Sequence, residues 1–389
     1  MSGRLLRLVC TAAVTAGALL APSPALAAPG PGTDSGTAAS VPEGRSLGVL
    51  LTDLQKLYRQ AEQATEAYNA TEEELREKRA EAERLEKELA AARLSLHDSR
   101  GAAGRLARQQ YQNSSEISPY VRLLLARDPR HALDEGHVIG QLARERAETV
   151  DRLTGHEKRT DGLARDARKA LDAQLTLTER RKKDRDEVRG KLAEVEELLA
   201  SLSADQLAKL AELEKSGAIR AQRTFMASGA LSSRRTPSRE GGRALGYAVR
   251  QLGKPYEWGA EGPESYDCSG LTSRAWEHAG RSIPRTSQEQ WAELEHVPLG
   301  ELRPGDLVIY FPEATHVALY LGDGMVVQAP RPGARIKVSP IAANPVLGAV
   351  RPDPGGEPLR RFTPPKLPRD ATDGSDEGYS FAAPATEAR

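Results

Sequence analysis

Residues 266–280 read YDCSGLTSRAWEHAG. Asp267 is a strong helix-capping type, Leu271, Ala275 and Ala279 fall on one apolar face, and Gly280 supplies a stop. The stretch therefore predicts a helix over 268–279 that opens at its cysteine. Downstream, HVALYLG at 316–322 alternates: His316, Ala318 and Tyr320 share one face, and Val317, Leu319 and Leu321 the other. Further β-runs are predicted at 306–311, 325–329, 335–338 and 347–351, and an earlier helix at 243–252. Helices first and strands after imply an α+β domain with an antiparallel sheet, spanning 242–353.

The chain has 2 cysteines. Cys10 lies in a segment where Arg4 and Arg7 flank the start of an apolar run, 8–20, and Ala25, Leu26 and Ala27 make a small-x-small cleavage site; residues 1–27 read as a secretory signal. Its removal leaves Cys268 as the one thiol of an exported chain, where an unpaired cysteine is better explained by reactivity than by packing. In the first turn of a helix a thiol feels the positive end of the dipole, which favours thiolate.

A thiolate hydrolase needs a base that later protonates the leaving amine, and histidine has the suitable pKa. His97, His131, His137 and His156 belong to a charged helical region remote in sequence, His278 lies almost three turns along the cysteine's own helix, and His296 falls in a polar connection. His316 remains. A strand histidine alone is more often structural, and its pairing with Cys268 reverses that prior. Gln328 is the candidate to orient the ring: with a three-residue loop or a bulge at GDG, 322–324, Ala318 lies opposite Gln328 and His316 is the diagonal neighbour. A plain two-residue loop would put them on opposite faces. For the oxyanion, the Cys268 backbone N–H and the Tyr256 hydroxyl are candidates, with Tyr256 equally able to be a core residue. Asp267, Ser269 and Arg285 complete the candidate substrate-binding or oxyanion set. With no HExxH or CxxC, neither metal nor other cofactor is expected.

Outside this domain the composition changes. From Leu47, Ala, Glu, Arg and Leu follow a heptad: Leu54, Ala61, Tyr68, Leu75, Ala82, Leu89 and Leu96 at one core position, Leu50, Leu57, Ala64, Thr71, Lys78, Leu85 and Ala92 at the other. Thr71 and Lys78 weaken it. Ser114, Ser115 and Pro119 mark a break, and a second helix over 132–201 carries Val188, Leu192, Val195, Leu199 and Leu202 at alternating spacing. The two predict an antiparallel coiled-coil hairpin over 46–217, with a further helix at 205–215 inside it. The charge run at 179–187 reads as a solvated helix face. Residues 28–45 read as a disordered leader, 218–241 as a flexible linker and 354–389 as a disordered tail. A formal net charge of +0 gives no reason to expect nucleic acid.

GKPYEWG at 253–259, DCSG at 267–270, PRTSQEQ at 284–290, LRPGDLVIY at 302–310 and HVALYLGDG at 316–324 together resemble, in order and spacing, the NlpC-type peptidases, a papain-like family of bacterial cell-wall endopeptidases. The resemblance covers the compact domain. It implies Cys268 as nucleophile, His316 as base and Gln328 as the polar residue orienting it. It also implies hydrolysis of the peptidoglycan stem peptide, usually between D-glutamate and diaminopimelate, by a secreted or wall-associated enzyme. The hairpin is similar to the coiled-coil module of PcsB-like and Rip-like cell-division hydrolases. That likeness implies docking on a membrane complex of the FtsEX type and occlusion of the active site until activation. Two rivals stand beside this reading: an amidase of the same thiol mechanism, and a coiled-coil scaffold that activates another hydrolase.

Overall fold

A heptad of small and branched apolar residues interrupted by charge favours long paired helices, because one stripe can be buried only against another. The computed structural model describes residues 46–113, 121, 128–231 and 235–372. Helix α1, Leu47–Asn113, pairs along its length with α2, Pro129–Ala200. Helix α2 starts at the helical start signal of Asp128 and Pro129, ahead of the apolar periodicity: Asp128 caps it and Pro129 occupies the first turn, where a missing N–H costs nothing. Of the heptad residues, Leu54, Leu75, Leu85, Val188 and Val195 are buried. The weak position Thr71 is buried too, and its hydroxyl donates 2.6 Å to Asp184 Oδ2 on α2; Lys78 turns aside to Glu81 at 2.8 Å. The expected signal, the leader, most of the segment between α1 and α2, and residues 373–389 lie outside the described residues.

Helix α3, Ala204–Ala227, corrects the linker expected at 218–241. Ser203 and Gln206 close a capping box at its start. Beyond Gly217 the composition reads as loose, but Phe225 packs on the sheet, and Gln222 Nε2 donates 2.9 Å to the Gly324 carbonyl while its Oε1 accepts from Ala342 N–H at 3.1 Å. A side chain at Gly324 would be strained, since its φ is +73°, and its Cβ would displace Met226, whose sulfur lies 2.8 Å from that position. The connection is thereby shortened to 228–238, because Ser238 caps α4, Arg239–Val249, four residues before the predicted start.

Helices α5, Cys268–His278, and α6, Ser287–Glu293, follow. Among the described residues, six strands then form one antiparallel sheet: β1 Glu295–Val297, β2 Leu307–Tyr310, β3 His316–Gly322, β4 Met325–Gln328, β5 Lys337–Pro340 and β6 Val346–Arg351, in the order β1-β6-β2-β3-β4-β5. Leu307, Ile309, Val317, Leu319 and Val327 share a core with α4 and α5; Val308, Tyr310, Ala318, Tyr320 and Val326 form a second cluster that Phe225 and Leu231 partly cover. The expected disordered tail is corrected as far as Thr372. The Val338 N–H donates 2.8 Å to the Ala371 carbonyl, Ala371 is buried, and Phe362 packs on the core. Among the described residues no helix is long and apolar enough to cross a membrane.

Candidate active site

Three elements bring the predicted residues together. Asp267 caps α5, its Oδ1 accepting the Gly270 N–H at 2.6 Å, and this sets Cys268 at the first position of the helix. Gly270 is required here, because a Cβ would run into the carbonyl of Ala260. Strand β3 begins at His316 and packs against α5, and Cys268 shares one apolar cluster with Val317, so the thiol lies against the strand that carries the histidine. On β4, Gln328 Oε1 lies 2.7 Å from His316 Nε2. The pairings Leu319↔Val327 and Tyr320↔Val326, followed by Gly322↔Met325, place a bulge before a two-residue turn. Gln328 and His316 are kept on one face by that bulge.

An amide oxygen at Nε2 holds the ring proton there, which leaves Nδ1 as the lone-pair nitrogen available to a thiol. Tyr256 is buried beside Cys268; burial first, then Cys268 and the nearby carboxylates, push its phenol well up, so it remains a donor. Arg285 is buried and forks onto Asp267, Nη1 at 3.1 Å and Nη2 at 2.8 Å, with Nη1 also 2.8 Å from Ser269 Oγ and Nε 3.1 Å from Glu261. The set Cys268, His316, Gln328, Tyr256, Asp267, Ser269 and Arg285 thus forms one contiguous group. His278 and His296 are elsewhere, packed on Tyr247 and Trp291.

The resemblance of the hairpin implies occlusion of the site, but no local pattern in the sequence says which residues cover it. Helix α1 lies over it with a polar stripe: Glu62, Thr65, Glu66 and Asn69, all buried. Glu66 Oε2 accepts from the Ser287 N–H at 2.7 Å, and its Oε1 lies 2.9 Å from Ser269 Oγ and 3.9 Å from the Cys268 sulfur. Asn69 Nδ2 donates 3.0 Å to Asp267 Oδ2. Glu62 Oε1 lies 3.4 Å from His316 Nδ1, an ion-pair contact without hydrogen-bond geometry. Tyr68 stands edge-on to Trp258 with centroids 5.0 Å apart. Spacing of i, i+3, i+4 and i+7 marks these residues as one helix face, but a polar face reads as solvated unless its partner is known.

The cover reverses the thiolate expectation. Burial, then Glu66, Asp267 and Glu62, push the Cys268 thiol well up, outweighing the helix start and the Val317 N–H. Burial pulls His316 down, but Glu62, with help from Gln328, more than offsets it, and the imidazole is raised overall. Burial and Asp267 raise Glu66 to about 7 against the opposing pull of Arg285, Ser287 and Ser269. In this arrangement Cys268 is a neutral, 2 % exposed thiol.

The profile of the NlpC/P60 family matches residues 253–348. A probable endopeptidase of Corynebacterium glutamicum is 41% identical over 123 residues, covering 31% of this chain and 58% of that protein. The probable endopeptidase p60 of Listeria monocytogenes is 40% identical over 90 residues, 23% of this chain and 19% of its own length. Among solved structures, RipD of Mycobacterium tuberculosis, a non-catalytic NlpC/p60 domain protein adapted to peptidoglycan binding, is 29% identical across 30% of this chain and 98% of that one, with a TM-score of 0.27. The chain thus spans less than two thirds of the curated relatives it matches, and the matched part is its compact domain.

Proposed function

Because residues 253–348 form a domain of the NlpC/P60 family, we propose that the chain is a secreted cysteine endopeptidase that hydrolyses peptidoglycan stem peptides in wall remodelling or cell separation, and that its own coiled coil holds it inactive. The bond proposed is that between D-glutamate and diaminopimelate. The Cys268 sulfur attacks the amide carbonyl after losing its proton to His316 Nδ1, and the negative oxygen that forms is met by the Cys268 N–H and the Tyr256 hydroxyl. Collapse breaks the C–N bond as His316 returns the proton to the leaving amine. Water, deprotonated by the same imidazole, then releases the acyl group and restores the thiol. Gln328 holds Nε2–H throughout, and the Asp267–Arg285 pair fixes the start of the helix and one wall of the cleft.

The observation that carries the catalytic reading is the His316–Gln328 contact of 2.7 Å on the strand against which the Cys268 helix packs. Digestion of purified peptidoglycan with the domain alone, followed by mass spectrometry, tests it. New peptide ends that vanish in Cys268→Ala are expected. New sugar ends would favour the amidase, and undiminished cleavage by Cys268→Ala would leave Cys268 without its role.

Support for inhibition comes from burial: a site for a polymeric substrate cannot work with its nucleophile 2 % and its base 0 % exposed under α1. A domain without the hairpin is expected to exceed the full chain in activity, and equal activity would refute the inhibition. Leu94, Tyr111, Leu133 and Val138 are exposed on the hairpin beyond the part that contacts the domain, and there an activating membrane complex of the FtsEX type would bind.

A further inference from the structure

Helix α1 brings two carboxylates to a site that already has one. Glu62, Glu66 and Asp267 are 8, 1 and 0 % exposed, and the permanent cation among them, Arg285, spends its bonds on Asp267, Ser269 and Glu261. From the base side the arithmetic is the same. With Nε2 donating to Gln328, a neutral His316 would turn its Nδ1 lone pair toward the Glu62 oxygen 3.4 Å away, an arrangement that favours a proton on His316. Bringing the buried carboxylates of α1 to a site with one guanidinium therefore favours protons on Glu66 and on His316.

We propose that the closure of α1 over Cys268 is a proton-operated latch, shut while Glu66 and His316 hold protons and released as they lose them. The proposal rests on the inhibition read above and adds what opens it. The groups facing Glu66 are Asp267, Cys268 and Tyr256 on the domain side, Arg285 ahead of α6, His316 on β3 and Glu62 on its own helix. The charged groups of α2 meet α1 beyond them: Asp184 bonds Thr71, and Arg181 pairs with Glu72. In the other direction Arg331 stacks over Tyr58 and pairs with Glu214 of α3. A cleft of about 240 Å³ between Tyr68, Glu72, Arg76, Gly259, Glu261 and Arg285 brings solvent to the edge of the cluster.

The direction follows from the shifts. Closing raises Glu66 from 4.5 to about 7, so closure is favoured most below the lower value and loses that support as pH rises through the upper one. His316 and the Cys268 thiol are raised as well, and both act in the same sense. Between about pH 5.5 and 8 the opening equilibrium of Glu66 alone moves by a factor on the order of 10 to 100.

The Ser287 N–H opens α6, has no partner within its helix, and is held by Glu66. Its hydrogen-exchange protection in the full chain, corrected for the intrinsic pH dependence of exchange, therefore reads the latch directly. Protection is expected to fall by tenfold or more from about pH 5.5 to 8 in the wild type, and to persist at pH 8 in Glu66→Gln, which mimics the protonated acid. Flat protection in the wild type, or loss in Glu66→Gln equal to the wild type's, would overturn the latch. Thr65→Trp, placed in the same stripe to prise α1 away, separates the two claims through alkylation of Cys268 at pH 5.5. Faster alkylation with flat wild-type protection leaves the inhibition standing without the latch. Alkylation no faster than in the wild type removes the inhibition, and the latch with it.

Discussion

At the scale of residues, Gln328 and Arg285 hold the site by different means. Gln328 accepts from a fully buried ring, and Gln328→Ala leaves that N–H without a partner and the ring free to turn. A loss of about 10 to 100-fold in kcat of the hairpin-free domain is expected, with KM little changed. Gln328→Glu puts a carboxylate on the same nitrogen, raises the imidazole further, and should carry the alkaline limb of the pH–rate profile upward. A profile that does not move would mean the twelve-residue spacing brings the two together only for packing. Among the described residues Arg285 is the cation that pairs with Asp267, which is 0 % exposed. Removing it by Arg285→Met strands a buried carboxylate, and a loss of about 3 kcal/mol is expected in thermal unfolding. Arg285→Lys keeps the charge but not the fork, and should recover only part of it. These contacts were legible as residue types, since a cap before the cysteine and a basic residue in PRTSQEQ both stand in the sequence. The fork between them was not, because it spans a loop whose path no local pattern fixes.

At the scale of elements, the sequence spoke where one face of an element meets one kind of neighbour. The alternation of β3 and the heptad of α1 each have a single buried side, and the sequence period reports it. It was silent where burial depends on a partner far along the chain. The stripe Glu62, Thr65, Glu66 and Asn69 looks solvated until the domain covers it, and the second half of α3 looks like a linker until Gln222 reaches the sheet. Helix α6 was announced only by the T-x-x-E box of Thr286 and Glu289, too short a signal to place seven residues. The docking of α3 gives a test at this scale. Gln222 joins the β3–β4 turn to the backbone at Ala342 with both ends of its amide. Gln222→Ala leaves the Ala342 N–H without that acceptor and should cost about 1 to 2 kcal/mol in the unfolding of the full chain, with exchange at Ala342 accelerated. Unchanged stability and exchange would mean that Phe225 and its apolar neighbours alone hold α3 to the sheet.

At the scale of the molecule, the limits of the catalytic unit differ from those its motifs mark. The matched family region ends at Gly348, halfway along β6, yet the chain continues along the domain to Thr372. Three contacts bind this extension. Arg303, itself buried, donates to the carbonyls of Asp353 and Gly356 at 2.8 and 2.7 Å. The Leu359 N–H and carbonyl bracket the segment before α4, with Pro237 O at 2.8 Å and Thr236 Oγ1 at 2.7 Å. Ala371 completes the edge of β5 through Val338. A domain cut after 353 loses the Arg303–Gly356 bond and the last two contacts, together with the apolar cover of Phe362 and Ala371, whereas one cut after 372 keeps them all. Several kcal/mol separate the two if each lost hydrogen bond counts for about 1 kcal/mol and each uncovered apolar side chain for a similar amount. The shorter fragment should therefore unfold at least 5 °C or so below the longer one by calorimetry, and lose activity on wall fragments at a temperature where the longer one retains it. Equal melting of the two would show that the extension lies on the domain without holding it. The distinction bears on the inhibition as well, since a hairpin-free fragment that ends at 353 could lose activity through instability and hide the gain that removal of α1 is expected to give.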